Sequence, residues 1–196
     1  MLYILLSISC NIIVSILLKL AKRYEVDVKQ AIVWNYAMAA VLTWIFYRPE
    51  LSSVSLTDLP LSLYIVLAIL LPSLFVVIAS SIRHTGIVRT DIAQRLSLLI
   101  PVFSAFILFN EDLSAMKLAG ISLGFVAVIC SIPWGQQTKT KGSSSGWIYL
   151  LIVFFGMGII DILFKQIAQL KVVPYFASLL IVYGIAFFVS FISLLF

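Results

Sequence analysis

The stretch RHTGIVRTDIAQRLSLLIPVFSAFILFNEDLS, from Arg83 to Ser114, decides how this chain folds. Most of it has the length and apolarity of a membrane-spanning segment, yet its opening half carries Arg89, Asp91, Gln94 and Arg95. An ion at mid-bilayer depth costs ~2.5–3.5 kcal/mol on insertion scales. If the stretch crosses a membrane, those side chains must face protein, water or the headgroups.

The rest of the chain has the same character. Hydrophobic residues make up 63% of it and charged residues 11%, and the mean hydropathy is +1.17. Soluble domains are ~45–50% apolar and ~25% charged. Small domains bury a limited share of their surface, so 196 residues cannot hide this much hydrocarbon from water. The composition calls for an integral membrane protein, of the inner or plasma membrane, with the lipid bilayer as its partner. A net charge of +5 raises the question of nucleic acid, but the basic residues stand singly or in pairs between apolar runs, which excludes a nucleic-acid surface. Their role is orientation and contact with anionic headgroups.

Enzyme chemistry finds little support. Cys10 and Cys130 lie within apolar runs, His84 is the single histidine, and no P-loop or dinucleotide-binding glycine pattern occurs. No metal site, cofactor or catalytic set is expected.

A helix needs ~20 apolar residues to cross ~30 Å of hydrocarbon. Seven stretches qualify: Leu2–Leu20, Ala31–Tyr47, Leu61–Ile82, Ile87–Phe109, Ala115–Pro133, Trp147–Ala168 and Pro174–Phe196. None shows the alternation of a β-barrel strand, so the expected class is all-α, a polytopic transmembrane helix bundle. The first stretch lacks a basic leader and a small-residue cleavage site, and reads as a retained helix. A polar segment, WGQQTKTKGSSSG from Trp134 to Gly146, has linker composition. It divides the chain into residues 1–133, with five helices, and residues 147–196, with two.

The sixth stretch repeats the first. At constant offset Tyr3 falls on Tyr149, Ile16 on Ile162 and Lys19 on Lys165, with Ser15 on Asp161. With one inserted residue, Tyr36 in the second stretch falls on Tyr183 in the seventh. Repeats of an odd number of helices insert upside down relative to one another, a building plan of secondary transporters. The expectation is a ten-helix inverted repeat, five plus five, of which seven helices are present. A reading frame that ended at Phe196 would carry solute only as a homodimer.

The segment from Ala79 to Ile129 resembles the drug/metabolite transporter superfamily, in particular its EamA-type branch. The likeness rests on a small-residue turn before the fourth helix, the central Pro101, the turn residues Glu111, Leu113 and Ser114, and the glycine-spaced Gly120 and Gly124. Asn110 stands where that family has glycine, and the charged head of the fourth helix is unlike it. The resemblance implies a carrier of small organic metabolites or drugs working by alternating access.

The polar residues are weighed against that implication. Asp91 and Arg95 are four apart on one helical face and able to pair. They sit at the interface, or Arg95 faces a central cavity with Gln94 and draws an anionic substrate group, or it contacts lipid. Ser7, Asn11, Ser15 and Lys19 form one polar stripe on the first helix, which bridges neighbouring helices or lines a solute path. Asp161 and Lys165 are a structural pair, or Asp161 takes up and releases a proton as the coupling group. Trp34 and Tyr36 are cavity residues or interfacial anchors. Pro101 is expected to bend its helix, and Gly120 and Gly124 to admit a close neighbour.

Orientation is contested. Counting basic residues by connection puts the amino terminus outside, whereas the family resemblance implies a cytoplasmic one. The contrasting functional class is a non-transporting membrane protein, a receptor or scaffold. A retinal pigment would need a lysine in its last helix, and Pro174–Phe196 has none.

Overall fold

A computed structural model describes residues 27–49, 59–107, 115–130, 146–170 and 173–195, with residues 5, 6, 9 and 13. Most of the first stretch, with Asn11, Ser15 and Lys19, the turn at Glu111–Ser114 and nearly all of the linker lie outside the described residues. Among the described residues the chain is all-helical: α1 Val28–Tyr47, α2 Leu61–Thr85, α3 Ile87–Ser97, α4 Leu99–Ile107, α5 Ala115–Cys130, α6 Gly146–Gln169 and α7 Tyr175–Leu195. Three of them, α2, α6 and α7, are long and apolar enough to cross a membrane.

Local chemistry sets the ends. Asp27 caps α1, its side chain accepting the Lys29 N–H at 2.9 Å, which satisfies one orphan donor of the first turn. Arg48 closes α1 in the left-handed conformation, and its N–H bonds to the Trp44 carbonyl at 3.1 Å. Pro49 then prevents continuation. Pro174 opens α7, where a missing N–H is no loss.

The expected single helix from Ile87 to Phe109 is in fact two. α3 stops at Ser97 and α4 starts at Leu99, because Pro101 has no N–H to offer the Ser97 carbonyl and its ring crowds that carbonyl. The Leu98 N–H turns back to Arg95 at 3.3 Å, and the Val102 N–H resumes the ladder on Leu98 at 3.3 Å.

α2 is the central post. Tyr64, Leu67, Leu71, Leu74 and Ile78 recur every three or four residues along it and are buried. It packs against α6 on one side and α7 on the other, while α1 lies mainly on α7, and α3 and α4 on α6. The Tyr64 hydroxyl donates to Ser178 Oγ at 2.7 Å and ties α2 to α7. His84 stacks on Tyr149 with ring centroids 5.1 Å apart, joining the end of α2 to the start of α6.

A single residue, Gly86, joins α2 to α3. Its φ of 90° and ψ of 160° fall where essentially only glycine is found. Under this turn Ser81 and Thr90 share a hydrogen bond of 2.8 Å, and Thr85 lies 3.3 Å from each hydroxyl. Three buried hydroxyls therefore satisfy one another where the chain reverses. Outward-facing hydrocarbon is plentiful: Phe46, Met116, Trp147, Phe188 and Leu195 are each at least 65% exposed. A water-soluble surface does not tolerate apolar area on this scale, whereas lipid does.

Candidate functional site

The two helices matched by the sequence repeat, α1 and α7, lie against each other and run in opposite directions. Lys29 Nζ donates to the Ser193 carbonyl at 3.1 Å at one end. Tyr47 and Phe176 stack at the other, with centroids 3.7 Å apart. At the middle, Tyr36 meets Tyr183, centroids 6.5 Å apart. Tyr36 is the ninth residue of α1 and Tyr183 the ninth of α7, so the repeat equivalents face one another across the seam.

Tyr36 is 2% exposed and packs edge-on to Phe75, with centroids 6.1 Å apart. Its hydroxyl has no hydrogen-bond partner among the described residues, unlike most buried polar groups. Trp34 occupies the opposite face of α1, with Met38, Val41 and Ile45, and is 64% exposed. The structure therefore separates two residues that the sequence left as a pair: Tyr36 points into the bundle and Trp34 points out of it.

Asp161 is the sixteenth of 24 residues in α6. On α6 the exposed arc is Trp147, Ile148, Leu151, Ile152, Phe155 and Ile159. At about 100° per residue, Asp161 falls about 120° from the centre of that arc. It lies between the buried Val153, Ile160 and Ile167 ridge and Gly158, which abuts Ile100 of α4. Phe154, Met157, Phe164 and Lys165 flank it, each half-buried. Asp161 thus sits half-buried on the inward half of a membrane-length helix, where a carboxylate is able to accept a proton or a hydrogen bond from a solute.

The charges of α3 are arranged differently. Arg95 Nε donates to Asp91 Oδ2 at 2.8 Å, and the side chains are 55% and 52% exposed. The pair foreseen from spacing forms, on the outer face of α3, while Thr90, Ala93 and Ser97 occupy the buried face. Gln94 is half-buried beside that face. Gly120 and Gly124 on α5 meet nothing within 4 Å among the described residues.

The tightest approaches involve glycines outside the Gly-x-x-x-Gly pattern. A Cβ on Gly156 would strike Leu74 of α2, and one on Gly158 would strike Ile100 of α4, each at 2.5 Å. Spaced by two, these glycines form no motif, and sequence inspection passes over them. The buried Tyr64–Ser178 bond was missed for a related reason, since its partners are 114 residues apart.

No family model matches the chain, and no solved structure matches it. The chain is similar to an uncharacterized protein of Haemophilus influenzae, 36% identical over 171 residues, covering 85% of this chain and 59% of that protein. The chain thus spans about three-fifths of the length of the curated relative it matches.

Proposed function

We propose that the protein is a secondary carrier of small organic solutes, of the EamA type within the drug/metabolite transporter superfamily, built as a ten-helix inverted repeat. The observation that carries this reading is the seam between α1 and α7, where repeat equivalents Tyr36 and Tyr183 face each other at the centre of an antiparallel pair. Alternating access in such carriers rocks one repeat against the other about a site near the midplane. A seam between repeats is where that motion is borne.

Asp161 supplies the second support. A carboxylate at membrane depth is expensive and marks an ion or substrate path, and this one is turned away from the lipid-facing arc of its helix. In the carrier cycle it would bind a proton on one side and release it on the other, coupling solute movement to the proton gradient.

The test is solute-evoked current from the protein reconstituted in liposomes, screened across amino acids, nucleosides, sugars and cationic drugs while external pH is stepped. The expected result is current for at least one solute class, with a pH dependence that Asp161→Asn abolishes. Current whose pH dependence survives Asp161→Asn discards the coupling role, and silence across all four classes discards the carrier.

A further inference from the structure

At the end of the bundle that holds the α2–α3 turn, a cleft of about 150 Å³ opens between α1, α2 and α7. Its mouth carries Lys29, Ser190 and Ser193, and its floor runs down past Ile69, Ser73 and Val76. Ile69 is 51% and Val76 41% exposed, so the cleft opens sideways onto the apolar surface. It does not touch Tyr36, Asp161 or Arg95, and its volume is below the ~300–1,000 Å³ of solute pockets.

The polar groups are disposed for a headgroup. Lys29 spends one of its ammonium donors on the Ser193 carbonyl, and an ammonium has three. The Ser73 and Ser190 hydroxyls already donate to carbonyls of their own helices, so towards the cleft their oxygens accept. Lys29 is the second residue of α1, which puts it at headgroup depth. Among the described residues at this end, Lys29, Arg83 and Arg89 stand against Asp27, the Asp91–Arg95 pair being neutral in itself. The local field therefore selects a negative ligand.

We infer that this cleft is a binding site for one anionic phospholipid, its phosphate on Lys29 and one acyl chain running down α2 past Val76, Ser73 and Ile69. Basic recesses between membrane helices hold anionic headgroups in this manner. The inference needs the bundle to lie in a membrane and does not depend on the carrier reading.

Native mass spectrometry of the detergent-purified protein, equilibrated with equimolar phosphatidylglycerol and phosphatidylcholine, tests it. Retained lipid should favour phosphatidylglycerol by about five-fold, the worth of one well-placed cation. Lys29→Gln should remove the preference, while Lys29→Arg and, at the other end of the bundle, Arg48→Gln should keep it. If Lys29→Gln fails to fold, Ser193→Glu, which sets a carboxylate beside the ammonium, should have the same effect. A preference that survives Lys29→Gln or Ser193→Glu overturns the site, as does retention of both lipids alike by the unaltered protein. A dimer that forms in place of lipid binding would give the cleft to a second copy and overturn it too.

Discussion

Replacing Gly158 by alanine probes the contact that positions α4 against α6. The added Cβ would lie 2.6 Å from the Cβ of Ile100, besides 2.5 and 2.9 Å from its Cδ1 and Cγ2. Rotation about χ1 cannot move a Cβ, so α4 itself must retreat by about 1 Å to restore ordinary contact. At Gly156 the obstacle is the Cδ1 end of Leu74, which a rotamer change can swing aside. Overpacking of this kind costs about 1–3 kcal/mol, set against at most about 1 kcal/mol gained from helix propensity. The net loss of about 1–2 kcal/mol is a factor of roughly 5–30 in the folded-to-unfolded ratio. Reversible unfolding by SDS in mixed micelles, followed by tryptophan fluorescence, measures it. Gly120→Ala is the companion variant, because no described residue lies within 4 Å of its added methyl, and it should be neutral or mildly stabilising. If Gly158→Ala proved as stable as Gly120→Ala, the close packing of α4 on α6 would be refuted.

Other substitutions separate effects that composition alone confounds. Tyr64→Phe removes the donor to Ser178 and should destabilise by about 0.6–1 kcal/mol in the same micelle titration. Tyr36→Phe deletes a hydroxyl with no partner among the described residues and should leave stability unchanged or raise it; an equal loss in both tyrosine variants would contradict their assigned surroundings. Gly86→Ala adds a methyl that touches no described residue, so its expected cost of about 1–3 kcal/mol is backbone strain, and a neutral result would show that the turn has another conformation. Arg95→Ala breaks an exposed pair and should cost no more than about 0.5 kcal/mol; a loss of several kcal/mol would place that pair in a dry interior.

Helices were readable from the sequence because hydrocarbon length and composition dictate them. The described helices fall on the expected stretches within three residues at either end, apart from the stretch that Pro101 divides. The cause of that division was visible too, but its extent was not: Pro72 sits inside α2 without ending it, so a proline alone does not say whether a helix bends or breaks. Facing was harder. Trp34 and Tyr36 are two residues apart and equally aromatic, and only the packing of α1 on α7 sends one outward and one inward. The Asp91–Arg95 pair was legible because it is local, whereas its exposure depends on which face of α3 meets α2 and α6. The cleft at Lys29 draws its walls from three separate helices, and no local pattern announces such an assembly.

The claim beneath the carrier reading is that Asp161 looks onto water inside the membrane. Spin labels at Asp161→Cys and Ile159→Cys, in the protein reconstituted in bilayers, measure this directly through their collision rates with a water-soluble nickel chelate and with oxygen. The account predicts that position 161 favours the nickel chelate and position 159, on the exposed arc, favours oxygen. Oxygen-dominated relaxation at both positions would put the carboxylate's face in lipid and contradict it.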